Sequence, residues 1–253
     1  MSAKVLFIDC ETTPLECYTW GIWDQNIGLP MIKKESTILS IAWKWQGEDK
    51  IKCVSSSPSN PRGDKALAAL AQKLINGCDV AVGHNIDAFD LPKLKTRIIA
   101  HDMQPPSQPR TIDTLKIARK HFKFTSNKLE HLAKALDLPA KKMTTRKFDG
   151  FTLWSECLEG NPEAFKELKE YNKQDVIVLE QCYNKLVKWE PNIKLDVYSS
   201  TLDNVCTCGS KLWSNNGYSY SPKGRYKRFR CKKCGKERKS TKNLLSKEKK
   251  ASL

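Results

Sequence analysis

Four consecutive apolar residues near the start of the chain, Val5-Leu6-Phe7-Ile8, constrain its fold more than any other stretch. A strand wetted on one face alternates apolar with polar side chains. An unbroken short run therefore reads as a strand buried on both faces, inside a sheet covered by helices on each side. Two acids follow at once in "FIDCETTP", Asp9 and Glu11. Side chains alternate along a strand, so these two carboxylates share a face. Like charges at the edge of a core repel, and one is pushed toward protonation unless a divalent cation compensates both. A solvated strand end carrying two harmless acids is the competing reading of this stretch alone.

The 253 residues suit one large domain plus a small module. "TILSIAWKWQG" and "KIKCVSS" read as two strands turning at Gly47, "DVAVGHN" as a short buried strand, and "GDKALAALAQKLING" as a helix capped by Asp64. "DLPKLKTRIIAH", "TLKIARKHF" and "SNKLEHLAKALDL" continue as helices, the last with a polar cap. The longest helix starts at Asn161 with Pro162 in its first turn and runs to about Trp189. Three strands followed by strands alternating with helices predict an α/β fold, a mixed sheet flanked by helices. The aromatic-rich "LECYTWGIWDQNIGLP" is expected to pack as a long loop, with stacking of unpaired bases on Tyr18, Trp20 and Trp23 as the alternative. Near "LDVYSSTLDNV" the helical pattern stops, dividing the chain into a domain at 1–198, a cysteine-rich module at 199–241 and a basic tail at 242–253. No stretch approaches the ~20 apolar residues of a membrane span. Lys4 leads straight into the first strand with no signal peptide before it, so a cytoplasmic location is expected.

Two further elements carry acids. In the long helix Phe165, Leu168, Asn172, Asp175, Leu179, Cys182 and Leu186 recur at steps of three or four, a stripe that should face the core. Asp175 sits in its middle, and Tyr171 lies one turn earlier on nearly the same face. A buried carboxylate must be neutralised or bound, by a cation or by a buried salt bridge. The mid-chain "GHNIDAFDLPKLKTR" holds Asp87 and Asp90, for which helix or turn capping is the simpler role. Taken together, Asp9, Glu11, Asp90 and Asp175 suit hard divalent ions: two Mg2+ about 4 Å apart can activate water and stabilise the leaving oxygen of a phosphodiester. No histidine cluster, Walker-type loop or Gly-x-Ser-x-Gly elbow competes.

In order along the chain, "DCE", "NIDAFD" and "YNKQD" resemble the three motifs of the DEDD superfamily of 3′–5′ exonucleases, which have an RNase H-like fold. The third motif selects the tyrosine branch, because the histidine branch needs His where this chain has Glu170. Over about residues 4–188 the chain resembles the exonuclease domain of family B DNA polymerases in a stand-alone form. The resemblance implies that Asp9, Glu11 and Asp175 hold two Mg2+ or Mn2+ ions, with Asp90 helping directly or through water. It also implies that Tyr171 orients the attacking water. Thr12 would contact the terminal sugar and Leu15 would wedge the last base, although Pro14 stands where the family has glycine. The implied activity is 3′–5′ hydrolysis of DNA, single-stranded ends preferred, releasing nucleoside 5′-monophosphates. RNA as substrate, or a non-catalytic nucleic-acid-binding subunit recruiting a DNA polymerase, are the alternatives. Proofreading, repair and degradation all fit, in the cytoplasm of a bacterial, archaeal or virus-infected cell.

The formal charge of +16 is uneven: residues 201–253 hold 15 Lys+Arg against 3 Asp+Glu, whereas residues 1–200 hold 29 against 25. Such a block favours a polyanion, with DNA or RNA the leading partner. Cys206, Cys208, Cys231 and Cys234 form two close pairs, each followed by a glycine, and read as an all-thiolate site for one Zn2+. The segment resembles a zinc ribbon, with Cys-x-Cys in place of the usual first Cys-x-x-Cys. Between the pairs, Arg225, Lys227, Arg228 and Arg230 interleave with Tyr226 and Phe229, a pattern suited to phosphates and stacked bases. The remaining cysteines are scattered, and Cys10 is expected to point into the core.

Overall fold

The computed structural model of the protein describes residues 3–140, 147–198 and 204–252. The apolar opening run forms β1 (Val5–Thr12), followed by a short hairpin of β2 (Glu16–Cys17) and β3 (Ile32–Lys34) whose tip is the aromatic-rich segment. β4 (Ile38–Trp45) and β5 (Lys52–Ser55) turn at Gly47, whose φ of 87° favours glycine. Then come α1 (Lys65–Asn76), β6 (Val80–Gly83), α2 (Asp90–Ala100), β7 (Arg110–Asp113), α3 (Thr114–His121), α4 (Leu129–Ala135), α5 (Thr152–Leu158) and α6 (Pro162–Leu186). Five strands make one sheet in the order β5-β4-β1-β6-β7, with β1 antiparallel to β4 and parallel to β6. This is the mixed α/β sheet that the sequence pattern leads to.

The central strand is buried on both faces, as its composition requires. Leu6, Ile8 and Cys10 pack with Leu67, Ala71 and Leu74 of α1 and with Leu94 and Ile98 of α2. Val5 and Phe7 pack on the other side with Val176, Leu179 and Tyr183 of α6, and Phe7 meets Tyr183 edge-on at 5.2 Å. Each such side chain contributes roughly 1.5–3 kcal/mol on full burial. A one-residue slip would exchange the two faces and drive Asp9 against α1 and α2, so the register of the site is fixed by the core.

Local capping follows the sequence in one helix and departs from it in others. Asn161 caps α6, its Oδ1 accepting from the Glu163 amide at 3.0 Å, with Pro162 as the first helical residue. Asp64 precedes α1 but makes no side-chain cap. Its carboxylate accepts instead from Ile38 N at 2.9 Å, from Arg97 Nε at 2.6 Å and Nη2 at 3.0 Å, and lies within hydrogen-bond distance of His101. A buried carboxylate takes charged partners in preference to one amide. No side chain caps α4. α5 was not legible as a helix, and it packs Leu153 and Cys157 with Leu39, Phe165 and Leu168 in a third cluster.

Beyond residue 203, β8 (Trp213–Ser221), β9 (Gly224–Cys231) and β10 (Glu237–Asn243) form a three-stranded antiparallel sheet. The sheet runs past the expected module boundary at 241, and α7 (Lys247–Ala251), capped by Ser246, lies within the expected tail. The expected boundary near 198–199 adjoins residues 199–203, which lie outside the described residues. The small sheet is tied to the end of α6. Lys236, only 3% exposed, donates from Nζ to the carbonyls of Ile193 at 2.8 Å and Val187 at 3.1 Å, and Arg238 pairs with Asp196.

Candidate active site

Strand alternation carries Asp9 and Glu11 along the same face of β1 as Phe7, the face that α6 covers. There they meet Asp175: one oxygen of each of these three carboxylates lies within 4.8 Å of the others. Asp9 and Glu11 are half-buried and Asp175 is buried. Three hard oxygens at this spacing form a donor set compatible with a hard divalent cation, which takes carboxylate oxygen and completes its shell with other oxygen ligands.

Asn172 fixes the geometry. Fully buried one turn before Asp175, it donates from Nδ2 to Asp9 Oδ2 at 2.6 Å and accepts on Oδ1 from Ser40 Oγ at 2.9 Å. Ser40 stands on β4 directly opposite Glu11, so a chain of polar contacts spans β4, α6 and β1. Tyr171, also half-buried, packs edge-on against Trp154 of α5 at 5.8 Å, which holds the phenol ring near Asp175 in α6.

Asp90 takes another place. It is the first residue of α2, and it is not one of the three carboxylates whose oxygens lie within 4.8 Å of one another. The expected capping role is not what it does either. β6 pairs only with Val5–Phe7, leaving the end of β1 without a neighbour on that edge, and Asp90 Oδ1 accepts the Cys10 amide there at 3.1 Å. Burial pushes the Asp90 carboxyl up to about 6, against hydrogen bonds from Cys10 that lower it. Asp90 thus braces the peptide between Asp9 and Glu11. Cys10 itself points into the core, as expected, and burial raises its thiol further.

Upstream, the last position of β6 is glycine, and a Cβ there would fall 2.6 Å from Ile86 Cβ. Asp87 pairs with Lys116 at 2.6 Å and is not part of the acidic group. Thr12 lies at a break in the β1–β4 register, and Leu15 is exposed at the rim of a cleft of about 580 Å3 that also involves Lys34, Asn60, Arg62 and Phe151. Arg62 fastens the segment where proline replaces the family's glycine: its guanidinium donates to Thr13 Oγ1 at 3.1 Å and to the Pro14 carbonyl at 3.2 Å. The sequence offered one signal for these unanticipated residues. Asn172, like Asp175, is a polar residue in an apolar stripe. Arg62 and Trp154 carried none.

At the basic end, Cys206 and Cys234 sulfurs are 3.6 Å apart and those of Cys208 and Cys231 3.7 Å. Four thiolates at Zn–S distances of about 2.3 Å in a tetrahedron stand about 3.8 Å apart, so the cluster fits that ion. Gly209 and Gly235, at φ 80° and 76°, close the two turns through amide donation to the Cys206 and Cys231 carbonyls. The four cations of "RYKRFR" do not share one face. Alternation along β9 puts Arg225 and Lys227 on one side and Arg228 and Arg230 on the other. Arg225 lies 3.8 Å over the Tyr218 ring, Arg228 donates to the Asn216 carbonyl, and Arg230 to that of Gly235.

An acidic cluster between the central strand and a packed helix, on a mixed sheet of this order, defines a nuclease-type α/β fold. The RNase_H superfamily pattern matches residues 6–187, and the chain belongs to that superfamily. Among solved structures it is similar to the family B DNA polymerase from the hyperthermophilic archaeon Pyrobaculum calidifontis, with 16% identity and a TM-score of 0.53. That likeness, which is one of fold, covers 74% of this chain and 25% of the polymerase, so the chain spans about a quarter of that protein's length. No curated protein sequence matches it. Among the described residues no helix is long and apolar enough to cross a membrane.

Proposed function

We propose that this chain is a metal-dependent 3′–5′ exonuclease acting on DNA, with single-stranded ends preferred and nucleoside 5′-monophosphates as products. The observation that carries the reading is the convergence of Asp9 and Glu11 from β1 with Asp175 from α6. These carboxylates would hold two Mg2+ or Mn2+ ions, whose chemistry is activation of water and stabilisation of the leaving oxygen. Asn172 keeps Asp9 turned toward the site, and Asp90 steadies the strand that carries both first-motif acids. Tyr171 is assigned to hydrogen-bond and orient the attacking water. Thr12 and Leu15 are assigned to the terminal nucleotide.

The four cysteines are assigned one structural Zn2+, which would supply the folding free energy that a small three-stranded sheet lacks. Lys227 and Arg230 are the more exposed of the four β9 cations, and Arg225 and Arg228 are partly engaged within the sheet. All four are assigned to DNA phosphates. A replication or repair setting, with a DNA polymerase as partner, is consistent with this activity.

End-labelled single- and double-stranded DNA and RNA, digested with Mg2+ or Mn2+, test activity, polarity and sugar preference together. Shortening from the 3′ end that stops on chelation is the expected result. Asp9→Ala and Asp175→Ala should abolish it while leaving binding intact, and Tyr171→Phe should be milder. Normal turnover by either carboxylate variant would refute the site.

A further inference from the structure

The tip of the β2–β3 hairpin does not pack. Trp20 is 98% exposed, Trp23 82% and Tyr18 66%, so the expected ordinary packing of a long loop is not what forms. The stem is nonetheless well defined: Glu16 pairs with Lys34, Cys17 with Ile32, and the Tyr18 amide donates to the Met31 carbonyl at 2.9 Å. Lys33 lies over the Tyr18 ring at 5.5 Å. A built stem presenting two bare indoles is a feature in search of a ligand, because large exposed aromatic area is costly to leave in water.

We propose that this arm holds the unpaired part of a polynucleotide strand, with Trp20 and Trp23 as stacking platforms for its bases. The inference rests on the exonuclease reading, because a 3′ terminus bound at the acids leaves every other nucleotide upstream and in need of support. Three observations favour nucleic acid as the occupant. The arm is continuous with the site: Trp20 follows Thr12 by eight residues, so its backbone lies within about 28 Å of the end of β1. At its root, the cleft of about 580 Å3 sets apolar Leu15 and Phe151 beside Asn60, a lining suited to a base, while its cations Lys34 and Arg62 are paired with Glu16 and Glu159 adds a second acid. The indoles are also exposed nearly all round, which suits insertion between bases, whereas a docking patch for protein is a contiguous apolar surface. Ile22 and Leu29 are exposed in the same arm, which makes a second copy of the chain the rival occupant.

The test uses the full chain and a labelled single strand of about fifteen nucleotides, a length that spans a stacking site. Affinity is read by anisotropy without Mg2+ or Mn2+, so that turnover does not intrude. Trp20→Ala/Trp23→Ala should weaken binding on the order of 100-fold or more, since each of the two stacked bases contributes roughly tenfold or more in affinity. Trp20→Phe/Trp23→Phe should recover most of it, and Ile99→Ala, an exposed apolar control on α2, should change nothing. The p-nitrophenyl ester of thymidine 5′-monophosphate, which has no upstream bases, should be hydrolysed equally by the Ala variant and the native chain. Oligonucleotide affinity within twofold of native would overturn the proposal. If the native chain then sediments as a dimer and the variant as a monomer, the arm belongs to a second copy. Should the native chain hydrolyse neither the ester nor a strand, the exonuclease reading fails, while the binding comparison still decides the arm.

Discussion

Replacing Asn172 by Ala removes one buried side chain outside the carboxylate group, yet it should weaken metal binding. The Nδ2 donor lies 2.6 Å from Asp9 Oδ2, and a hydrogen bond to a charged group is worth about 1.5–3 kcal/mol. At 1.4 kcal/mol per tenfold, the Mg2+ or Mn2+ concentration for half-maximal activity should rise roughly 10- to 100-fold, the range seen when partners of metal ligands are removed. Activity should return largely at saturating metal, because all three carboxylates remain. Stability should fall separately, by roughly 2–4 kcal/mol, since Ser40 Oγ loses its buried acceptor and a cavity opens. Asn172→Asp separates the two effects. It keeps the volume and an acceptor for Ser40, but it turns a carboxylate toward Asp9, so unfolding should change less while hydrolysis suffers more. Metal titrations of end-labelled digestion and urea unfolding of the same preparations read both quantities. A metal midpoint unchanged in Asn172→Ala would refute the role given to this residue.

Lys236→Met keeps the buried stem but leaves the Val187 and Ile193 carbonyls without their donor, at a cost of roughly 2–4 kcal/mol. Thermal unfolding should split, with the small sheet released before the large domain, and a single unshifted transition would contradict the docking. Glu190 offers a pH test. Burial alone would raise its carboxyl, but hydrogen bonds from Lys120 and His121 prevail and hold it at about 2, against an ordinary 4.5. A folded-state value below the unfolded one stabilises above pH 4.5, and that contribution is lost as pH falls toward 2. The half-exposed Lys120 discounts the full shift, so Glu190→Gln should cost about 1–2 kcal/mol at pH 7 and almost nothing near pH 2, measured by denaturant unfolding across pH.

The elements that read clearly in the sequence are those whose own composition states their environment. Val5–Ile8 has no polar side and forms the central strand; the α6 stripe names its buried face, Asp175 included; the cysteine spacing names a thiolate cluster. Less legible was every feature settled by a partner distant in the chain. Asn172 has meaning only once Ser40, 132 residues away, comes opposite. Asp90 read as a fourth acid of the metal site with capping as its rival, and neither reading named the amide it accepts, that of Cys10, 80 residues upstream. The tryptophans of the hairpin tip were expected to pack on the general rule that aromatics bury their area, a rule that fails where a ligand is the intended cover. Interleaved cations and rings in "RYKRFR" suggested a nucleic-acid surface, and the two-residue period of a strand divides the cations between its two faces.

The long helix also sets a distance between the two ends of the molecule. Asp175 lies in its middle and Val187, whose carbonyl Lys236 grips, immediately follows its last residue, twelve positions on. At 1.5 Å per residue that is about 18 Å along a continuous helix. On the proposed function, a cysteine-rich sheet fastened there would serve as a second grip on the strand, set back from the acids. At about 3.4 Å per stacked nucleotide, the strand must extend roughly five nucleotides from its 3′ end before the sheet can hold it. Lys227→Ala/Arg230→Ala should therefore slow digestion of long strands and leave strands shorter than this untouched. Equal slowing at every length would mean that the sheet moves freely with respect to α6, and that the Lys236 contacts do not anchor it.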